Sequence, residues 1–256
     1  MSVAERGANG QSLDRRLFMQ FLAFTGCDDT QSVVSAVKAS GIDAVVYESV
    51  SDPTGVAIAL AHEDPGFFID SVRPLIQGEG FEGAGLIPQP EFTMFGRSYA
   101  IGYEPDLEET VIHRPKRHLF HPDWPWAIWY PLRRKGSFEQ LPREEQMGIL
   151  KEHGEIGMRF GRSGLAYDIR LACHGLDAND NDFIIGLMGK DLHPLSAIVQ
   201  TMRKTKQTST HLEQLGPFWV GRTVYKSSVS TPPPPASGSH GPPGRPPANT
   251  GAPGRG

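Results

Sequence analysis

"TQSVVSAVKASGIDAVVYESVSDPTGVAIALAHE" (30–63) contains the pattern on which the fold turns. Residues 30–41 place apolar side chains at helical steps and stop at Gly41, a residue suited to closing a helix. IDAVVYESV (42–50) and GVAIALAHE (55–63) are β-branched and alanine-rich runs split by Ser-Asp-Pro-Thr (51–54), so they read as two strands joined by a turn. Upstream, RLFMQFLAF (16–24) reads as a strand. Downstream, PGFFIDSVRPLIQG (65–78) reads as a helix disturbed at Pro74, and GAGLIPQPEFTMFGR (83–97) as an irregular strand. The order is β-α-β-β-α-β, the split βαβ unit.

The same order returns after a connector at 103–125 rich in charge and histidine. WAIWYPL (126–132) predicts a strand and PREEQMGILKEHGEIGMRF (142–160) a long helix. AYDIRLACHG (166–175) and DFIIGLMGKD (182–191) predict strands, HPLSAIVQTMRK (193–204) a helix, and GPFWVGRTVY (216–225) the last strand. The fold class is therefore α+β: tandem ferredoxin-like repeats whose sheets pack together into a barrel-like core decorated by helices. The expected divisions are a flexible N-terminus (1–14), a first unit (15–102), the connector (103–125), a second unit (126–226) and a tail (227–256).

At 38% hydrophobic and 21% charged, the 256 residues suffice for one large or two small domains. The formal net charge of −4 lacks the basic excess of a nucleic-acid binder. Without the tail's two arginines, residues 1–226 stand at −6. No uncharged apolar run reaches the ~18 residues a membrane span needs, and MSVAERGANGQSLDRR has no apolar core of a signal peptide. Cys27 and Cys173 are distant and unpatterned, which fits a reduced, cytoplasmic protein. SSVSTPPPPASGSHGPPGRPPANTGAPGRG (227–256) cannot build a core and is expected to be disordered, either a passive tail or a docking segment for a partner the sequence does not identify.

In the long helix, Ile149, Leu150, His153, Ile156, Gly157 and Phe160 share one face, so His153 points inward. It is either a packed core histidine or a ligand. Gly154 and Gly157 cost a helix interior about 1 kcal/mol each relative to alanine. They make sense if something flat must approach, and a lone imidazole beside small residues can be an axial ligand to haem iron. There is no HExxH and no paired CxxC of zinc type.

WYPLRRKGSFEQLPREEQMGILKEHGEIG (129–157), GLDANDNDFIIGLMGKDL (175–192), VQTMRKTKQT (199–208) and GPFWVG (216–221) together resemble the chlorite dismutase-like haem protein family, particularly its coproheme decarboxylase branch. The resemblance covers about 125–225, with the first half similar in element order only. It implies a homopentameric haem or coproheme oxidoreductase with His153 as the metal ligand. It places Tyr130 as a radical relay to a coproheme propionate. Arg134, Arg203 and Thr208 become propionate-binding groups, and His113 a distal base for hydrogen peroxide, with His118 and His121 equally near. It also puts Arg170 where chlorite dismutases carry a distal arginine, although His153 and Arg170 stand farther apart in sequence than the family pattern has them. Each residue has a plainer reading. Tyr130 is then one more sheet aromatic, Arg170 a partner of Asp168, Arg203 a solvated cation at a helix end and His113 a loop histidine.

Three functions follow: peroxide-dependent decarboxylation of coproheme to haem b; a haem b chlorite dismutase or peroxidase; or a ferredoxin-like binding or scaffold protein without iron.

Overall fold

The computed structural model describes residues 2–229; most of the expected tail, 230–256, lies outside the described residues. Strand β1 is Phe18–Thr25, helix α1 Thr30–Ser40, β2 Ala44–Ser49 and β3 Val56–His62. Asp29 caps α1 by accepting the Gln31 amide at 2.9 Å, and Gly41 closes it at φ 69°, a left-handed conformation that glycine adopts without a Cβ clash. A π-helical turn, Phe68–Val72, runs into a short α2, Arg73–Ile76, so the expected disturbance lies just ahead of Pro74. β4 is Met94–Ser98.

The connector differs from expectation. It carries a second π-helical turn, Glu109–His113, continuing into α3, Arg114–Leu119. Pro115 follows directly on the π-helical turn, within one continuous helical run. Then come β5 (Trp126–Arg134), α4 (Arg143–Arg162), β6 (Tyr167–Ala172), β7 (Phe183–Gly189), α5 (Leu192–Met202), α6 (Lys206–His211) and β8 (Trp219–Lys226).

Each half has the ferredoxin-like strand order, β4-β1-β3-β2 in the first and β8-β5-β7-β6 in the second. Both edges of one sheet pair with edges of the other. β4 meets β6 through Arg97↔Ala172 and Ser98↔Leu171. β2 meets β8 along five residue pairs, from Ser49↔Gly221 to Val45↔Lys226. The result is a closed, antiparallel eight-stranded ring with no free edge among these strands.

The ring is filled by aromatic side chains from both halves. Phe21 lies 5.2 Å from the Trp129 ring and 5.1 Å from that of Trp219. Two further cores lie between the sheets and the helices outside. One packs Val33, Val37, Phe68 and Val72 over the first sheet. The other packs Ile156, Leu195 and Ile198 over Ile128, Tyr130 and Leu187. Alternation along β5 thus sends Trp129 into the ring and Ile128 and Tyr130 toward the helices.

The ends also depart from expectation. Residues 1–14 were expected to be flexible, yet Glu5–Arg6 pairs with Ser12–Leu13, and Glu5 bonds Arg97 at 2.7 Å. Ser227, placed at the start of the tail by composition, is buried, and its Oγ accepts the Ala44 amide at 3.0 Å. No described helix is long and apolar enough to cross a membrane.

Candidate functional site

The sheet of the second half presents two rows of side chains. Ile169, Leu171 and Trp129 fill the ring. Asp168, Arg170 and Tyr130 stand on the opposite face, the one covered by α4 and α5. The ladders put Ile185 opposite Tyr130 on one side and opposite Arg170 on the other. Tyr130 and Arg170 are therefore next-but-one neighbours in a single row, with backbones roughly 10 Å apart at the usual strand spacing.

Helix α4 brings His153 to this face. Glu144 and Glu145 in its first turn suit the positive end of the helix dipole. The His153 Nδ1 is buried with no hydrogen-bond partner. Burial lowers the pKa of the imidazole to about 4, helped by the positive charges of Arg170 and then Arg134, so both guanidiniums lie within electrostatic reach. At neutral pH the ring is uncharged and its lone pair is available. The helix beside it is bare: a Cβ on Gly154 would meet no atom within 4 Å, and one on Gly157 only the Met202 methyl at 3.8 Å. An unsatisfied imidazole nitrogen next to open helix surface fits a flat, iron-bearing ring such as a porphyrin. Among the described residues, no group of three His, Cys, Asp or Glu side chains could hold a metal ion in another way.

Arg170 and Asp168 pair at 3.0 Å, as the plainer reading expected, and they do so on the face toward α4. Their side chains keep 41% and 44% exposure although protein atoms surround them densely, as befits groups lining a cleft. The longer interval between His153 and Arg170 is taken up by α4, which runs on to Arg162, and by a turn at Gly164. Burial alone would push the Asp168 carboxyl up, but Arg170 and Arg114 hold it below its ordinary value. Arg114, from the connector, is lowered by burial and then by Arg170. Tyr99, just past β4, is raised by burial.

Tyr130 is 7% exposed, and its ring lies 4.7 Å from that of Phe218. Burial raises its phenol, and the nearby Arg203 opposes the rise. Arg203 reaches over the far side of this group, 5.8 Å from the Phe218 ring. With Thr208, Leu212 and Leu215 it lines a shallow depression of about 240 Å³. Thr205 caps α6 through the Thr208 amide and bonds the Thr208 hydroxyl at 3.3 Å. Arg134 lies between the rings of Phe138 and Phe183, at 4.8 and 4.6 Å, and its buried Nε has no partner.

The structure thus gathers His153, Arg134, Arg170, Tyr130 and Arg203 around one region, with Thr208 at its rim. It does not bring in His113, whose Nε2 lies 3.7 Å from Glu108. His118 bonds the Asp168 carbonyl through Nδ1 at 2.9 Å, and His121 stacks on Trp124 at 3.8 Å. Among connector residues Glu104 acts on Arg170, while Asp168 is held by His118 and, ahead of it, by Arg114. Sequence reasoning passes over Arg114 because HRPKRHLFH draws attention to its histidines. Asp168 is visible there as a partner of Arg170 but not as a group of the site, and Tyr99 carries no sequence signal.

A sequence profile described as chlorite dismutase matches residues 87–224. No curated protein matches the chain's sequence. Among solved structures the chain is similar to TA0507, assigned as a chlorite dismutase, at TM-score 0.66 and 12% identity, covering 82% of this chain and 95% of that one. It is also similar to a haem-binding protein from Thermus thermophilus, at TM-score 0.64 and 16% identity, covering 82% and 91%. A chlorite dismutase variant from Candidatus Nitrospira defluvii gives 0.62 and 16%, covering 82% and 92%. At these identities the structural likeness speaks for the fold.

Proposed function

The chain belongs to the chlorite dismutase family, and on that premise we propose that it holds an iron porphyrin between α4 and the outer face of β5–β7–β6 and uses hydrogen peroxide to decarboxylate coproheme to haem b. The observation that supports this best is the row Tyr130–Ile185–Arg170 on the sheet face turned toward His153.

His153 would hold the iron, with Arg203, Thr208 and Arg134 toward the porphyrin carboxylates. Arg203 offers a charge-assisted, two-pronged contact, and Arg134 a guanidinium with an unused buried Nε. Bound there, the iron porphyrin supplies the oxidising power of peroxide. Tyr130 contributes the hydrogen-atom relay: its phenol gives up an electron and a proton together and then abstracts hydrogen from a propionate side chain. Its burial keeps the phenol protonated until that moment. Each ionised propionate that becomes a vinyl group releases carbon dioxide, two electrons and one proton, and one hydrogen peroxide takes these electrons and this proton up with one further proton from solvent in forming two waters.

Protein mixed with iron coproporphyrin III and peroxide should give products lighter by one and then two lost carboxyl groups by mass spectrometry. Porphyrin that stays intact overturns the reading.

A second reading rests on Arg170. A guanidinium on the sheet face stabilises an anionic ligand or a departing oxyanion, which suits a haem b chlorite dismutase. Oxygen release on adding chlorite to the haem-loaded protein, lost in Arg170→Ala, would favour it. Family resemblance adds a homopentamer and a cytoplasmic location to the proposal, to be tested by the mass of the assembly and by fractionation.

A further inference from the structure

The iron-porphyrin reading leaves open which group takes the proton from an incoming oxidant. Of the histidines expected for that task, His113 faces Glu108 and His121 stacks on Trp124, while His118 holds the Asp168 carbonyl through Nδ1. We infer that Asp168 is the proton acceptor for hydrogen peroxide in this cleft, and that the Asp168–Arg170 pair selects a neutral, protic oxidant over an anion; this rests on the iron-porphyrin reading.

Three observations carry it. Asp168 stands on the α4-facing side of β6, two residues along the strand from Arg170 and on the same face. Its side chain is 44% exposed, so a small molecule can reach it. Its charged and titratable surroundings are Arg170, Arg114 and His118, and it acts in turn on His153, Tyr130 and Tyr99. It is thus the one carboxylate that acts on His153, Tyr130 and Tyr99 together, and Arg170 and Arg114 keep it ionised.

In the step, an O–H bond of hydrogen peroxide breaks and its proton forms an O–H bond to the carboxylate. The electron pair stays on the hydroperoxide anion, and Arg170, freed from Asp168 as that group becomes neutral, faces the new negative charge. An anion such as chlorite brings no proton to neutralise Asp168 and must compete with it for Arg170.

The test uses protein loaded with haem b and three small ligands followed by stopped-flow absorption. Hydrogen cyanide and hydrogen peroxide must lose a proton to bind; carbon monoxide, added to the reduced protein, need not. Asp168→Asn should slow cyanide and peroxide association by about 100-fold and leave carbon monoxide unchanged. Asp168→Glu, which restores a base, should stay within about tenfold of the original. Unchanged cyanide and peroxide rates in Asp168→Asn, or an equal slowing of carbon monoxide, overturn the inference.

Should Asp168→Asn fail to take up haem, Arg170→Ala decides. Without its guanidinium, the acidic limb of the cyanide association rate should move about one pH unit upward, and an unmoved limb overturns the assignment. Haem that fails to bind, or binds unaltered in His153→Ala, instead removes the underlying reading.

Discussion

Tyr130 and Arg170 flank Ile185 in one row across β5, β7 and β6, so the phenol and the guanidinium share a sheet face. Neither residue's neighbours in its own strand reveal this. Register does, because a slip of one residue in either ladder would send one of them into the ring.

Tyr130→Phe should keep porphyrin affinity within about twofold and abolish decarboxylation. Mass spectrometry of the porphyrin after peroxide treatment checks it, and vinyl products at the original rate would remove Tyr130 from the chemistry.

His153→Ala should lose the Soret and visible bands of the loaded protein and bind porphyrin at least tenfold more weakly. The apoprotein should remain folded, since the imidazole Nδ1 has no hydrogen bond to lose. Absorption titration and circular dichroism separate the two effects.

Gly154 offers a trade between stability and binding. Its missing Cβ faces open space, so Gly154→Ala should stabilise the apoprotein by about 1 kcal/mol through helix propensity alone. Gly154→Phe should fold as well but weaken porphyrin binding, because its ring would occupy the same space. Urea midpoints and a haem titration of both variants give the answer.

The apoprotein should lose stability between pH 7 and 5. Burial lowers both His118 and His153 to about 4, against an unfolded value near 6.5. Below pH 6.5 the unfolded chain takes up protons that the native state refuses. Stability is thus full above 6.5 and falls until the pH reaches about 4. The expected loss by pH 5 is on the order of 1–2 kcal/mol per histidine. His118→Gln should remove about half of the change in urea midpoint.

Much of this is legible in the sequence because it is periodic. Alternation in AYDIRLACHG places Arg170 with Asp168 and away from Ile169 and Leu171, and helical spacing places His153 with Ile149 and Ile156. What escapes has no period. Glu5–Arg6 and Ser12–Leu13 are strands of two residues each, too short to show one. Arg114–Leu119 is a helix of six residues whose Pro115 looks like a loop signal but sits inside a helical run entered through a π-helical turn. The choice of Arg114 over His113 depends on how that short helix is turned toward β6, which only packing decides.

The ring closes on two unequal seams. One has five residue pairs, from Ser49↔Gly221 to Val45↔Lys226; the other has two, and Ala172 in it lies two residues from Arg170. A zipper with so few teeth parts first. Amide exchange should therefore be faster across β4–β6 than across β2–β8, and the wall carrying Asp168 and Arg170 would be the one that breathes to admit a bulky guest.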